Sequence, residues 1–180
     1  MKKSLCVIFL LATFCNILPC DSAGAGLEES ARDATAKGWR YFNIGDHDTA
    51  LKRFRQATIL DPDFAPGYYG VGYIYSLRNR LGLAIKYYRK AIELADPPDS
   101  HAYGNLGLAL IKSGQEQEGF LMVQKALEID PDNGEAHLSL AGYYCSEKNG
   151  SLARGHLETA EALGARPGPR LIEEMKTRCP

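Results

Sequence analysis

The chain has 180 residues, 45% of them apolar and 24% charged, with a formal net charge of -1. That apolar content excludes a disordered chain and supplies one compact or elongated domain. With Lys2, Lys3 and Asp21 set aside, 19 basic face 21 acidic residues, a near-neutral balance without a basic run that argues against a broad electrostatic grip on nucleic acid or anionic lipid.

Residues 1–25 read as a secretory signal peptide. Lys2 and Lys3 form a charged start, Leu5 to Leu18 is almost wholly apolar, Pro19 breaks the run, and Ala23-Gly24-Ala25 has the small-x-small pattern of a cleavage site. The apolar stretch is shorter than the roughly 20 residues a spanning helix needs, so export without membrane insertion is expected. The destination this suggests is the bacterial periplasm. Attachment of lipid to Cys20 as an outer-membrane lipoprotein is the alternative, although Pro19 stands where lipoprotein signals resemble one another in having a small residue. Cys6, Cys15 and Cys20 belong to the leader, leaving Cys145 and Cys179. Two thiols in an oxidising compartment either pair as a disulfide or remain one packed and one exposed, and a metal site would want more soft ligands at closer spacing.

Beyond a Gly-containing stretch, Ser22 to Gly26, the pattern predicts a first helix from Leu27 or Glu28 to about Ile44, with acidic residues in its first turn where they favour the helix dipole. Gly45 stops it and Asp46 or Asp48 caps the next helix, which carries Ala50, Phe54 and Ala57 on one face and ends at Asp61-Pro62. These landmarks then return. Tyr41 recurs as Tyr75, Leu110 and Tyr144; Ala50 as Ala84, Gly119 and Ala153; Phe54 as Tyr88, Val123 and Leu157; Ala57 as Ala91, Ala126 and Ala160. Each column steps by 34, 35 and 34 residues, and four columns locked in phase mark an internal repeat.

The unit resembles the tetratricopeptide repeat, whose pattern combines a bulky residue, Leu-Gly, an aromatic, Ala, a ring, Ala and a closing Pro within 34 residues. Residues 31–64 show Gly38, Tyr41, Ala50, Phe54, Ala57 and Pro62. Residues 65–99 show Tyr68, Gly72, Tyr75, Ala84, Tyr88 and Ala91, with one extra residue in the Asp96-Pro97-Pro98-Asp99 turn. Residues 100–133 show Tyr103, Leu106, Gly107, Gly119, Ala126 and Pro131, and residues 134–167 keep Leu140, Tyr144, Ala153 and Ala160 but have Ala141 where Gly is usual. The resemblance implies an all-α, right-handed α-solenoid of four helix-turn-helix units over residues 26–168. A capping helix and tail over 169–180 would cover the last unit with Leu171, Ile172 and Met175. Small residues at Gly38, Gly72, Gly107, Ala50, Ala84 and Gly119 should let paired helices approach, with Tyr41, Phe54, Tyr75 and Tyr88 filling the gaps.

No catalytic or nucleotide motif is present, and His47, His101, His137 and His156 read as scattered, so neither an enzyme nor a cofactor or metal is expected. In tetratricopeptide arrays the first helix of each unit lines the concave side. Carrying those repeat positions over implies a groove of Thr35, Trp39, Phe42 and Asn43, then Tyr69, Tyr73, Ser76 and Leu77. His101, Asn105, Leu108, Ile111, Lys112, Glu135, Leu138, Ser139 and Cys145 continue it. Members that clamp a chaperone's carboxylate end place Lys, Asn and Arg along this surface; here Thr35, Trp39, Gly70, His101 and Asn105 stand there, so that clamp is absent. The expectation is a protein-protein interaction adaptor of the cell envelope that takes a hydrophobic or extended peptide across Trp39, Phe42, Asn43, Tyr69, Tyr73, Asn105 and Leu108. The rings are either exposed for binding or covered as core. A lipid-anchored assembly factor similar to the pilotins, and an enzyme or cofactor carrier, are the alternatives.

Overall fold

The computed structural model describes residues 21–179, with side chains from Gly26 onward, so the leader with Cys6, Cys15 and Cys20 lies outside the described residues. Nine helices fill that range: α1 (Asp21–Asn43), α2 (His47–Leu60), α3 (Ala65–Leu77), α4 (Leu81–Leu94), α5 (Ser100–Lys112), α6 (Glu116–Ile129), α7 (Gly134–Ser146), α8 (Gly150–Ala162) and α9 (Pro169–Arg178). They pack as the pairs α1–α2, α3–α4, α5–α6 and α7–α8, each pair resting on the next, with α9 against α7. The result is an all-α solenoid of four helix-turn-helix units and a capping helix. None of the described helices is long and apolar enough to cross a membrane.

Helix α1 starts at Asp21, ahead of the expected start at Leu27 or Glu28. Ser22 to Gly26 is therefore part of the helix. Extending a helix costs far less than nucleating one, and the segment just beyond is reinforced by the i,i+4 pairs Arg32–Glu28 and Lys37–Asp33.

The four elbows inside the units are built alike. Each has three residues between its helices. Within each, one residue takes positive φ: Gly45 (83°), Asn79 (55°), Gly114 (86°) and Lys148 (58°). In each, the next amide donates back to a carbonyl five residues earlier: Asp46 to Tyr41, Arg80 to Tyr75, Gln115 to Leu110 and Asn149 to Tyr144, at 2.9, 2.9, 2.9 and 2.8 Å. That is the closure of a Schellman turn, which satisfies carbonyls that the helix end would leave unpaired. Side-chain caps open several helices: the Asp46 carboxylate accepts from the Thr49 amide, and the Asn133 and Asn149 side chains accept from Ala136 and Leu152.

Three of the buried clusters join one unit to the next. Ala50, Leu51 and Phe54 of α2 meet Val71 and Ile74 of α3; Ala84, Ile85 and Tyr88 of α4 meet Leu106, Ala109 and Leu110 of α5; Val123 and Ala126 of α6 meet Ala136 and Leu140 of α7. Glycines set the approach. A Cβ built on Gly38 of α1 would come within 2.5 Å of the Phe54 ring, and one on Gly70 of α3 would also penetrate that ring, so Phe54 occupies a slot with a glycine on either side. Where the ring column shrinks to Val123, α5 and α6 cross backbone on backbone, and a Cβ on Gly107 or Gly119 would lie 2.7 Å from the other's carbonyl oxygen. At the far end Cys145, Ala153, Met175 and Cys179 form a small closing cluster in which both thiols are free. Ile172, expected to cover the fourth unit, is instead 40% exposed.

The histidines are not all scattered. His137 Nε2 donates to the Pro131 carbonyl at 3.1 Å, because a carbonyl can only accept. The other ring nitrogen, Nδ1, lies 3.0 Å from His156 Nδ1, a hydrogen bond that joins α7 to α8. The His156 ring also lies flat on Tyr144, with centroids 5.5 Å apart. Burial, and then the neighbouring His137, hold His156 below the usual imidazole pKa.

Two outcomes are expected. Gly70→Ala should lower unfolding stability by about 1–3 kcal/mol in a urea titration, since the added methyl must displace Phe54. Gly82→Ala, with nothing within 4 Å of the new Cβ, should be neutral or stabilising by up to about 1 kcal/mol. The depressed His156 pKa means that the unfolded chain binds its proton first, so this contribution to stability is present above the unfolded value near 6.5 and is lost as pH falls from there through the lower folded value. His156→Gln should flatten the fall in Tm between about pH 7 and pH 5.

Candidate functional site

The first helices of the units, α1, α3, α5 and α7, touch one another in series and continue into α9, while successive second helices make no comparable contacts. The first helices thus form the tighter inner layer of the curve, and side chains on their free faces line a groove.

At its N-terminal end Trp39 of α1 is the hub. Its ring meets Phe42, Tyr69 and Tyr73 at centroid separations of 5.6, 6.1 and 5.6 Å, and reaches Phe54 in the core at 4.8 Å. Phe42 and Tyr73 stand edge to face at 5.3 Å, and His47 stacks on the other side of Phe42 at 5.3 Å. Phe54 is fully buried, whereas Trp39, Phe42, His47, Tyr69 and Tyr73 are half-buried. They are neither free groove residues nor closed core: one edge of the cluster is anchored on Phe54 and the other is open to solvent. T-shaped contacts of this kind add to the area buried and hold the rings in place.

The polar atoms here are also arranged. Asn105 Nδ2 of α5 donates to the Tyr69 hydroxyl at 2.9 Å. Burial pushes the Tyr69 phenol well above its ordinary pKa, and the nearby Asp99 adds to that. Tyr73 is raised as well, by burial and then by Glu135. Both phenols are therefore neutral over the physiological range and serve as hydrogen-bonding groups, not as acids.

Farther along, the groove opens into a hollow of about 740 Å³ between α5, α7 and α9. Leu108, Ile111, Leu138 and Leu171 supply its apolar surface, while Lys112, Glu135 and Arg178 are among its charged lining.

The seven expected groove residues thus divide. Trp39, Phe42, Tyr69, Tyr73 and, through its hydrogen bond, Asn105 come together; Leu108 belongs to the second hollow; Asn43 is exposed at the end of α1. Three other positions carried over from the repeat are buried. Thr35 falls on the stripe Ala31, Ala34, Thr35 and Gly38, at i, i+3, i+4 and i+7, which faces the core. Ser139 lies on the corresponding stripe of α7 with its hydroxyl donating to the Glu135 carbonyl at 3.0 Å, and Cys145 is 2% exposed. Gly70, at a clamp position, is covered by Phe54. The extension of the ring cluster onto His47 was not anticipated, since His47 opens a second helix and has no groove position in the repeat. Among the described residues no three His, Cys, Asp or Glu side chains gather as metal ligands.

Two family models described as tetratricopeptide repeat match the chain, one over residues 35–100 and one over residues 100–133. The chain is 36% identical over 98 residues to protein bimA of Emericella nidulans, a match that covers 54% of this chain and 12% of that protein. It is 35% identical over 65 residues to the type IV pilus assembly protein PilF of Pseudomonas aeruginosa, covering 36% of this chain and 26% of the relative. Each match thus spans only a small part of the relative's length. Among solved structures, MamA superposes with a TM-score of 0.63 at 21% identity over 80% of this chain and 85% of that one. YrrB, described as a TPR protein with an unusual peptide-binding site, does so with a TM-score of 0.61 at 20% identity over 79% and 74%. At these identities the superpositions show a common fold. With its pattern, helix pairing and model matches in agreement, the chain belongs to the tetratricopeptide repeat family, whose fold generally serves as a scaffold for binding proteins or peptides.

Proposed function

We propose that the protein is an adaptor of the cell envelope that holds a peptide or partner protein in its inner groove, with the ring cluster around Trp39 as the anchor. The observation that carries this reading is the half-open state of Trp39, Phe42, Tyr69 and Tyr73: rings already fixed against Phe54 lose little freedom on binding, and fixed aromatic edges dominate many interfaces. An extended apolar segment suits this surface, because its lining near Trp39 is aromatic and its phenols are uncharged. The leader pattern at residues 1–25 supports export, after which no insertion in the membrane is called for.

A second reading has one observation in its favour, the likeness over 65 residues to a pilus assembly protein. It makes this chain an assembly factor anchored by lipid at Cys20. Mass spectrometry of the exported form separates the two: a start near Gly26 supports the soluble adaptor, and a lipidated Cys20 at the start supports the anchored one.

Because Trp39 is the sole tryptophan, its emission reports on the groove directly. Peptides selected from a displayed library against the purified protein should shift that emission. They should lose about tenfold or more in affinity, equivalent to ~1.4 kcal/mol or more, in Trp39→Ala and in Tyr73→Ser. Melting curves of both variants show whether the fold is kept. Peptides that bind the folded variants as tightly as the parent would place the site elsewhere.

A further inference from the structure

Helix α9 is lightly held. It packs against α7, buries only Met175 within its own length, leaves Ile172 40% exposed and starts at Gly168 without a side-chain cap. Six residues join it to α8. Yet just beyond its end lies Cys179, 4% exposed, in the same cluster as Cys145 of α7, which is 2% exposed. Both side chains pack in that one cluster, and after burial Cys179 is the next cause that raises the Cys145 thiol pKa. Cys145 Sγ also donates to the Glu174 carbonyl of α9 at 3.5 Å, and Arg154 Nη1 of α8 donates to the Cys179 carbonyl at 3.5 Å. Thus the only two cysteines among the described residues meet where the cap is fastened. Leu171, Glu174 and Arg178 of this same helix form one wall of the 740 Å³ hollow.

We propose that Cys145 and Cys179 are a redox latch: a low-molecular-weight disulfide oxidises them to a bond that fastens α9 to α7 and fixes the far wall of the groove, and reduction frees that wall. In the first step the Cys179 thiolate attacks one sulfur of the small disulfide. A mixed disulfide forms, the small disulfide's own bond breaks, and one thiolate leaves and takes up a proton. Cys145 then gives its proton to water and attacks the Cys179 sulfur, expelling the second small thiolate. Two protein thiols lose two electrons, and one small disulfide is reduced to two thiols. Both sulfurs are shielded in the closed form, so oxidation waits for α9 to lift. Burial pushes the Cys145 thiol up to about 12 in the closed form, which keeps it protonated and unreactive until α9 lifts. Closing a covalent loop between α7 and the end of α9 then restricts the open states of the cap.

The whole protein, treated with excess oxidised glutathione, then unfolded with an alkylating agent and digested without reductant, should yield one cross-linked pair of peptides containing Cys145 and Cys179. Its Tm should rise by several degrees, and amide exchange across 169–178 should slow by about tenfold or more, both reversed by dithiothreitol. Cys145→Ala and Cys179→Ala should each abolish the rise. Two alkylatable thiols after oxidation, a stable mixed disulfide alone or cross-linked dimers would overturn the proposal. So would an intramolecular bond that leaves exchange in α9 unchanged.

Discussion

The fit of Phe54 between Gly38 and Gly70 is the contact on which the rest of the array depends. A ring from the second helix of one unit fills the space that two glycines vacate, one in its own unit and one in the next. The same contact therefore closes a helix pair and joins two pairs. Further along, Tyr88 lies against Gly72, and Val123 against Gly107 where two glycines bring the backbones together. As the filling side chain becomes smaller the helices move closer, so close packing is maintained by exchanging side-chain volume for backbone approach. No unit completes a core alone, and stability is accordingly a property of neighbours.

Groove and core share atoms at Trp39. Its contact with Phe54 makes it part of the first junction between units, and its contacts with Phe42 and Tyr73 carry that rigidity to the inner surface. The anchor and the fold are consequently coupled. A ligand seated on these rings presses on the junction between α1–α2 and α3–α4, and stabilises the end of the array that has no preceding unit among the described residues to rest on.

The repeat was legible because close packing allows few alternatives at crossing points, and those positions return every 34 or 35 residues. The small residues at Gly38, Gly72, Gly107 and Gly119 and the rings at Phe54 and Tyr88 could therefore be placed from the sequence with their roles. Surface assignments transferred less well. Thr35 and Ser139 hold groove positions in the repeat but lie on buried stripes; the Ser139 hydroxyl is satisfied along its helix by the Glu135 carbonyl, whereas the buried Thr35 hydroxyl has no hydrogen-bond partner among the described residues. Gly70 belongs to none of the repeating columns; its partner across the junction is Phe54, a relation that only the third dimension shows. His137 and His156 are 19 positions apart, in different columns, and their meeting follows from the rotation of α7 on α8, which periodicity does not encode. The early start of α1 shows the opposite imbalance, with glycines weighted as breakers although a stable helix already lies downstream.

The four elbows have a consequence for how this chain can change its length. All have three residues and the same left-handed position, held by glycine in two and by Asn79 and Lys148 in the others, so the geometry recurs even where its most tolerant residue does not. Between units the connections run to four, five and four residues, and six lead on to the capping helix. Within this chain the variation in length therefore falls at the seams and not at the bends. Growth or loss of the array is a matter of whole hairpins, spliced where the chain already varies.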